Sequence, residues 1–309
     1  MSSPLHILAI ADDRAGTQSQ AVGLAEAVAA RLGDVRLQTL VIERAKGWPG
    51  RTKLFSKIAE TVPDVAIGCG RAAQAELRVL RKRGAKTVYV QDPRRGYAEF
   101  DLVVSPEHDG VSAPNAIAMI GSPNRVGEEA LAEAKAEWAE LGALPSPRVT
   151  VLVGGPSGAF ELSVETVAAH VAAMGKVLAQ GGSLMVSTSR RTPAGIGARL
   201  EQLAVKHPDR VRVYAGDGAN PYLGYLAHAE AVLVTEESVN MLAEACATGV
   251  PVFRLPMAGE AGKFAQFYDR LAARCGVERF AGDVAGMPYA PLRETERVAA
   301  LVVERLGLG

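Results

Sequence analysis

Cysteine is scarce: Cys69, Cys246 and Cys275 are the only three among 309 residues, odd in number, far apart and without CxxC or CxxxC spacing. They read as reduced core or surface thiols of a cytoplasmic protein, forming neither a disulfide framework nor a metal cage. Net charge is missing too. Lys and Arg number 34 and Asp and Glu 34, so no global field draws the chain to DNA or RNA, and nucleic acid is not an expected partner. No run approaches the roughly 20 apolar residues that span a bilayer, so a protein integral to a membrane is not expected. MSSPLHILAIADDRAG lacks the basic start of a signal sequence. The histidines lack HxH or HExxH spacing, and no metal is expected. Absence of GxxxxGK[ST] argues against a P-loop nucleotidase, and absence of GxSxG removes the usual hydrolase elbow.

What the chain does contain is alternation. Strand patterns at Leu5 to Ala11, Val35 to Ile42, Val65 to Gly68, Thr87 to Gln91, Leu102 to Ser105 and Ala116 to Ile120 are interleaved with helical ones, including RTKLFSKIAETV and AAQAELRVLRKRG. A helix from about Val126 leads to LGALPSPR, where Pro145 and Pro147 read as a linker. The pattern then restarts with strands at Val149 to Val153, Ser183 to Thr188, Val211 to Tyr214, Ala231 to Thr235 and from Pro251. Such alternation implies parallel sheets covered by helices, hence an α/β fold of two Rossmann-like domains, residues 1–145 and 149–309. The two open sheets are expected to face each other across a cleft. The last helix is assigned either to its own half or to a return onto the first domain.

Ligands of such sheets bind at the carboxyl ends of the strands, so the polar residues there are the candidates. In the second half three strand ends converge. The first carries GGPSGAF, where Gly154, Gly155 and Gly158 let backbone approach a ligand and Ser157 can donate or accept; a tight turn explains the same glycines. The second carries Ser189, Arg190 and Arg191, and guanidinium forks match diphosphate oxygens, although one arginine simply facing solvent fits as well. The third runs TEESVNMLAEA. Here Ser238 and Asn240 stand at a helix mouth suited to an anion, and Glu244, one turn on, suits the paired hydroxyls of a ribose. The plainer reading has Glu236 and Glu237 charging the first turn, Ser238 capping and Glu244 on a solvated face. Before this stretch, Asn220, Pro221 and Tyr222 form either a wall against a base or sugar or only a turn.

In the first half, the polar loop after the first strand offers Asp12 and Asp13 as general bases toward an acceptor hydroxyl, with helix capping as the alternative. His108, between Glu107 and Asp109, is a further base candidate, but sequence neighbours point to different faces. GCGRAA, Gly68 to Ala73, with Asp92 about 20 residues on, matches a dinucleotide fingerprint, yet two strands precede it and Pro93 follows Asp92 at once. An NAD(P)-dependent enzyme is therefore a minor alternative. The basic run Arg78 to Lys86 is either a local contact for anionic lipid or the solvated face of a helix.

ADDRAGTQSQAVGLA, VQDPR with FDLVVSPEHD, GGPSGAF, TSRRTP and NPYLGYLAHAEAVLVTEESVNMLAEA together resemble the bacterial proteins related to the plant elongated-mitochondria fission factor. More remotely, the second half is similar to glycosyltransferases of the GT-B architecture. The resemblance implies two Rossmann-like domains in a GT-B arrangement, with the nucleotide-sugar diphosphate on the helix start, the ribose on Glu244, the phosphates near Gly155 and Ser157, and Arg190 as cationic partner. The chain departs from the family pattern at Glu237, usually an aspartate, and in DDRAGTQ, which lacks the family's histidine and leaves Asp12 or Asp13 as base. The expected function is a nucleotide-sugar glycosyltransferase-like protein acting on a lipid-linked or envelope acceptor, the donor being substrate and no cofactor being needed. The alternative is a non-catalytic scaffold that recruits protein partners in membrane or envelope organisation. The expected location is the cytoplasm, with peripheral contact at the inner membrane.

Overall fold

The apolar runs pair into two six-stranded sheets whose strands all run parallel. The computed structural model describes residues 4–43 and 61–309, and the helix expected over RTKLFSKIAETV falls almost wholly outside them. The chain divides into two compact units, Met1–Arg125 with Arg293–Gly309, and Val126–Leu292.

In the first unit the sheet order is β2-β1-β3-β4-β5-β6, from β1 (Leu5–Asp12), β2 (Val35–Ile42), β3 (Val65–Cys69), β4 (Lys86–Val90), β5 (Leu102–Pro106) and β6 (Ala116–Met119). Strand β3 is buried at every residue, as a strand covered on both faces must be, whereas edge strand β2 alternates. Helices α1 (Ala15–Leu32) and α2 (Arg71–Lys82) cover the sheet. The last helix, α9 (Glu294–Leu306), lays Val298, Ala299 and Val302 into the same core as Leu24 and Val28 of α1. Its start is fixed by Glu294 accepting from the Ile120 N–H at 2.7 Å and Thr295 from that of Asn124 at 3.0 Å.

The second unit has the order β10-β9-β7-β11-β12-β14, formed by β7 (Arg148–Val153), β9 (Ser183–Thr188), β10 (Val211–Tyr214), β11 (Ala231–Thr235), β12 (Val252–Leu255) and β14 (Glu278–Arg279). A two-stranded ribbon joins β8 (Phe160–Glu161) to β13 (Ala258–Gly259). Helices α3 (Glu128–Glu137), α4 (Val164–Ala179), α5 (Ala194–Lys206), α6 (Tyr222–His228), α7 (Val239–Cys246) and α8 (Phe264–Cys275) complete it. Counted within this sheet, the strands lie in the order 3-2-1-4-5-6. The chain builds outward from β7 to β10, then returns to the other side of β7, so a topological switch point opens between β7 and β11.

The dividing line falls at residue 125, not at the proline linker. Helix α3 belongs to the second unit because Trp138, just after it, packs on α6 where Gly224 leaves room: a Cβ there would lie 2.5 Å from the indole. His228 Nε2 also meets the Lys135 carbonyl at 3.2 Å. All three cysteines are buried. Among the described residues no helix is long and apolar enough to cross a membrane.

Candidate functional site

Strand ends β9, β7 and β11 lie side by side at the β7–β11 switch point, and each carries a polar loop. After β7 the chain turns through Gly154 and Gly155. A Cβ on Gly155 would lie 2.2 Å from the Arg191 carbonyl oxygen, so this glycine is required by close approach of the neighbouring loop. That loop is stitched down by hydroxyls. Ser189 N–H donates to the Val153 carbonyl at 2.9 Å, and Thr192 Oγ1 donates to the Gly154 carbonyl at 2.6 Å. Thr192, unmarked in the sequence, is thus a main fastener of the two strand ends. Ser189 Oγ accepts from the Arg191 N–H at 3.2 Å and shapes the loop.

The arginine that reaches the β7 turn is Arg191. Its guanidinium donates to the Pro156 carbonyl at 3.2 Å and to Glu237 Oε1 at 3.2 Å, with half of the side chain exposed. Arg190 is exposed. Ser157 is exposed as well, and its Oγ accepts from the Phe160 N–H at 3.1 Å, closing the turn.

After β11, Thr235 Oγ1 accepts from the Gly154 N–H at 2.8 Å and Glu237 Oε1 from the Gly155 N–H at 3.0 Å. Burial raises the Glu237 carboxyl above its ordinary value, opposed by the Thr235 hydroxyl nearby, the Gly155 N–H bond and the charge of Arg191. Glu236 turns the other way. It accepts from the Met257 N–H at 2.8 Å and pairs with Arg254 at 3.1 Å and Arg279 at 2.9 Å, so it ties β11 to β12 and β14 and does not merely charge a first turn. Ser238 is the N-cap of α7, its side chain accepting from the Met241 N–H at 3.3 Å, and Asn240 lies in the first turn.

Glu244 sits in α7, 9 % exposed, and Tyr222 at the start of α6 donates its hydroxyl to Oε2 at 2.5 Å. Burial and the facing carboxylate keep that phenol protonated. Asn220 Oδ1 accepts from the Tyr222 N–H at 3.1 Å, an Asx turn that sets the tyrosine. Glu244 is therefore an oriented carboxylate with a hydroxyl partner, which a solvated helix face does not require.

In the first unit the Asp12 carboxyl, 2 % exposed, is closed in by its neighbours. It takes the Arg14 N–H at 3.1 Å, the Arg14 guanidinium at 2.7 Å and the Thr17 hydroxyl. Burial alone would raise it, but the Arg14 and Thr17 bonds outweigh burial and hold it below the ordinary aspartate value. An anion bound this way is a poor proton acceptor. Asp13 is half-buried beside it. The same group faces Gly70, whose Cβ would lie 3.3 Å from Asp12 Oδ2, so the mouth of α2 in GCGRAA is occupied by side chains. Asp92 is engaged locally, accepting from the Arg94 N–H at 2.7 Å and the Tyr97 hydroxyl at 2.8 Å. His108 is buried in a single helical turn. The basic run is largely paired: Arg78 with Glu99 at 2.7 Å, Arg81 with Asp101 at 3.0 Å, and Lys86 with the Leu306 carbonyl.

A family model described as mitochondrial fission ELM1 matches residues 15–306. The mitochondrial fission protein ELM1 of Arabidopsis thaliana is 27 % identical over 274 residues, covering 79 % of this chain and 64 % of the plant protein. The chain thus spans less than two thirds of that relative. In fold it is similar to a UDP-GlcNAc 2-epimerase from Neisseria meningitidis solved with UDP-GlcNAc, with a TM-score of 0.62 and 9 % identity over 99 % of this chain and all of the other. A UDP-GlcNAc 2-epimerase from Methanocaldococcus jannaschii gives a TM-score of 0.56 at 12 % identity, over 97 % of this chain and all of the other. At such identities the likeness is one of fold, of the GT-B-like class with two Rossmann-like sheets.

Proposed function

We propose, from the premise that this chain belongs to the mitochondrial fission ELM1 family, that it binds a nucleoside-diphosphate sugar at the carboxyl edge of its second sheet. The observation that carries this reading is the β7–β11 switch point. There a glycine turn, an arginine loop and the start of α7 meet, one helical turn from the Tyr222–Glu244 pair. The Gly155 N–H, Arg191 and the mouth of α7 with Ser238 and Asn240 supply donors of the kind a diphosphate needs. Gly155 and Ser157 shape the turn beneath it, Ser189 orients the arginine loop, and Arg190 lies at its exposed side. Glu244, held by Tyr222 and through it by Asn220, is placed to accept from ribose hydroxyls. A neighbour in fold solved with UDP-GlcNAc supports a uridine nucleotide as the first to try.

A second reading is favoured by one observation, the locking of Asp12 by Arg14 and Thr17. With Asp12 withdrawn as a base, the protein binds the donor as a scaffold for protein partners at a membrane or envelope surface, and transfers nothing. Asp13 is the remaining acid of that loop for a transfer to a lipid-linked or envelope acceptor.

The test is thermal unfolding against UDP, GDP, CMP, ADP and dTDP sugars together with NAD and NADP. A ligand at 100 times its dissociation constant adds about 2.7 kcal/mol, a shift of several degrees. Arg191→Ala and Glu244→Ala are expected to weaken binding of the stabilising nucleotide about tenfold or more each, since each removes a charge-assisted bond. Unchanged affinity in both variants refutes the site. Stabilisation by NAD instead returns attention to Gly68–Asp92. Turnover of the donor into a transferred sugar refutes the scaffold reading.

A further inference from the structure

Glu237 is an odd residue to find where it is. Its side chain is 0 % exposed, and Oε1 holds both the Gly155 N–H and the Arg191 guanidinium. Oε2 is buried with no hydrogen-bond partner among the described residues. A buried carboxylate oxygen without a donor is disfavoured. The backbone nonetheless makes room for it: a Cβ on Gly154 would lie 1.6 Å from Oε1. The carboxyl therefore occupies the switch-point crevice, and its partners are donors a phosphate would seek, a glycine N–H and a guanidinium.

We propose that Glu237 is a proton-coupled ligand of the diphosphate: a phosphoryl oxygen takes over the Gly155 N–H and Arg191, and the displaced carboxyl takes one proton from solvent, keeps it, and through it donates a hydrogen bond to a second phosphoryl oxygen. The inference rests on the donor-site reading above. Oε2, which lacks a donor in this structure, becomes the protonated oxygen and gains an acceptor. The charged and titratable groups that face Glu237 are Arg191 from the loop after β9 and Tyr268 from α8; next to it Glu236 is neutralised by Arg254 and Arg279. Tyr268 is held protonated by burial and by Glu236. Burial already raises Glu237, and a phosphate beside it raises it further, because like charges disfavour a second anion. Binding thus takes up a proton, and affinity falls as pH rises.

UDP-GlcNAc is a suitable probe, because both of its phosphates are substituted and lack the second ionisation near pH 6 of a terminal phosphate. Calorimetric titrations from about pH 5.5 to 8.5, in buffers of different ionisation enthalpy, count the protons taken up. For the wild type, uptake approaching one proton is expected at the alkaline end, with affinity falling up to tenfold per pH unit there. Glu237→Gln is expected to bind without proton uptake, with flat affinity, and more tightly than wild type at about pH 8. His170, which bonds the Pro256 carbonyl through Nε2 at 2.7 Å and feels the Glu236 charge, is unaltered in that variant. Any pH dependence shared by both proteins is therefore not Glu237's. Wild-type binding without proton uptake, or uptake that persists in Glu237→Gln, overturns the inference and leaves the donor site standing. Failure of both proteins to bind UDP-GlcNAc at every pH overturns the donor-site reading for this nucleotide and the inference with it.

Discussion

Asp12 and Glu237 are both buried carboxyls at the carboxyl edges of their sheets, and they couple stability to pH with opposite sign. Asp12 is lowered in the folded protein by Arg14 and Thr17, so its contribution is complete above the unfolded value of about 3.9 and is lost as pH falls below it. Asp12→Asn is expected to cost roughly 1–3 kcal/mol at neutral pH and to flatten the acid limb, measured by urea unfolding at a series of pH values. Glu237 is raised, so its contribution is greatest below about pH 4.3 and declines as pH climbs through the folded value. Glu237→Gln is therefore expected to remove a loss of stability on the alkaline side, in the same experiment. A parallel pH profile for the two variants would contradict the assigned environments. Neither environment is written in the local sequence. DDR and TEES read alike as acidic loops, and only the partners, Thr17 one helical turn on and Arg191 46 residues away, separate them.

At the scale of elements, helix glycines provide a clean contrast. Propensity favours Ala over Gly inside a helix by about 1 kcal/mol. Gly175 of α4 has nothing within 4 Å of its Cβ position, so Gly175→Ala is expected to stabilise by about 0.5–1 kcal/mol. Gly23 of α1 would place its Cβ 2.5 Å from the Asn124 carbonyl oxygen, and backbone cannot swing aside as a side chain can. Gly23→Ala is expected to destabilise by about 1–3 kcal/mol, read from denaturant midpoints. The existence of both helices was legible, since apolar positions recur at helical spacing. The close approach of residue 124 to α1 was not, because it is made by a segment about a hundred residues away that α9 holds in place through Thr295.

For the whole molecule, the discontinuous first unit makes a prediction about folding. Val298, Ala299 and Val302 of α9 are fully buried in the core they share with α1. A fragment of residues 1–125 is expected to lack a cooperative thermal transition by circular dichroism, and to regain it when residues 293–309 are joined to it; residues 126–292 alone are expected to unfold cooperatively. A cooperative transition in 1–125 by itself would contradict the packing argument. The alternation of apolar runs with helical periods determined the α/β class, the parallel strands and where most of them begin and end, because those depend on neighbours within a turn or a pleat. It determined too that glycines, arginines and Ser238 stand at strand ends. Which strand ends are neighbours was decided by the order of pairing: β11 returns to the far side of β7, and that return sets Glu237 against Gly155 and Arg191. Of the adjacent pair Arg190 and Arg191, only backbone direction in the loop decides which one turns inward. The assignment of α3 to the second unit and α9 to the first was likewise decided by which buried face each helix found, a choice between distant surfaces on which local periodicity is silent.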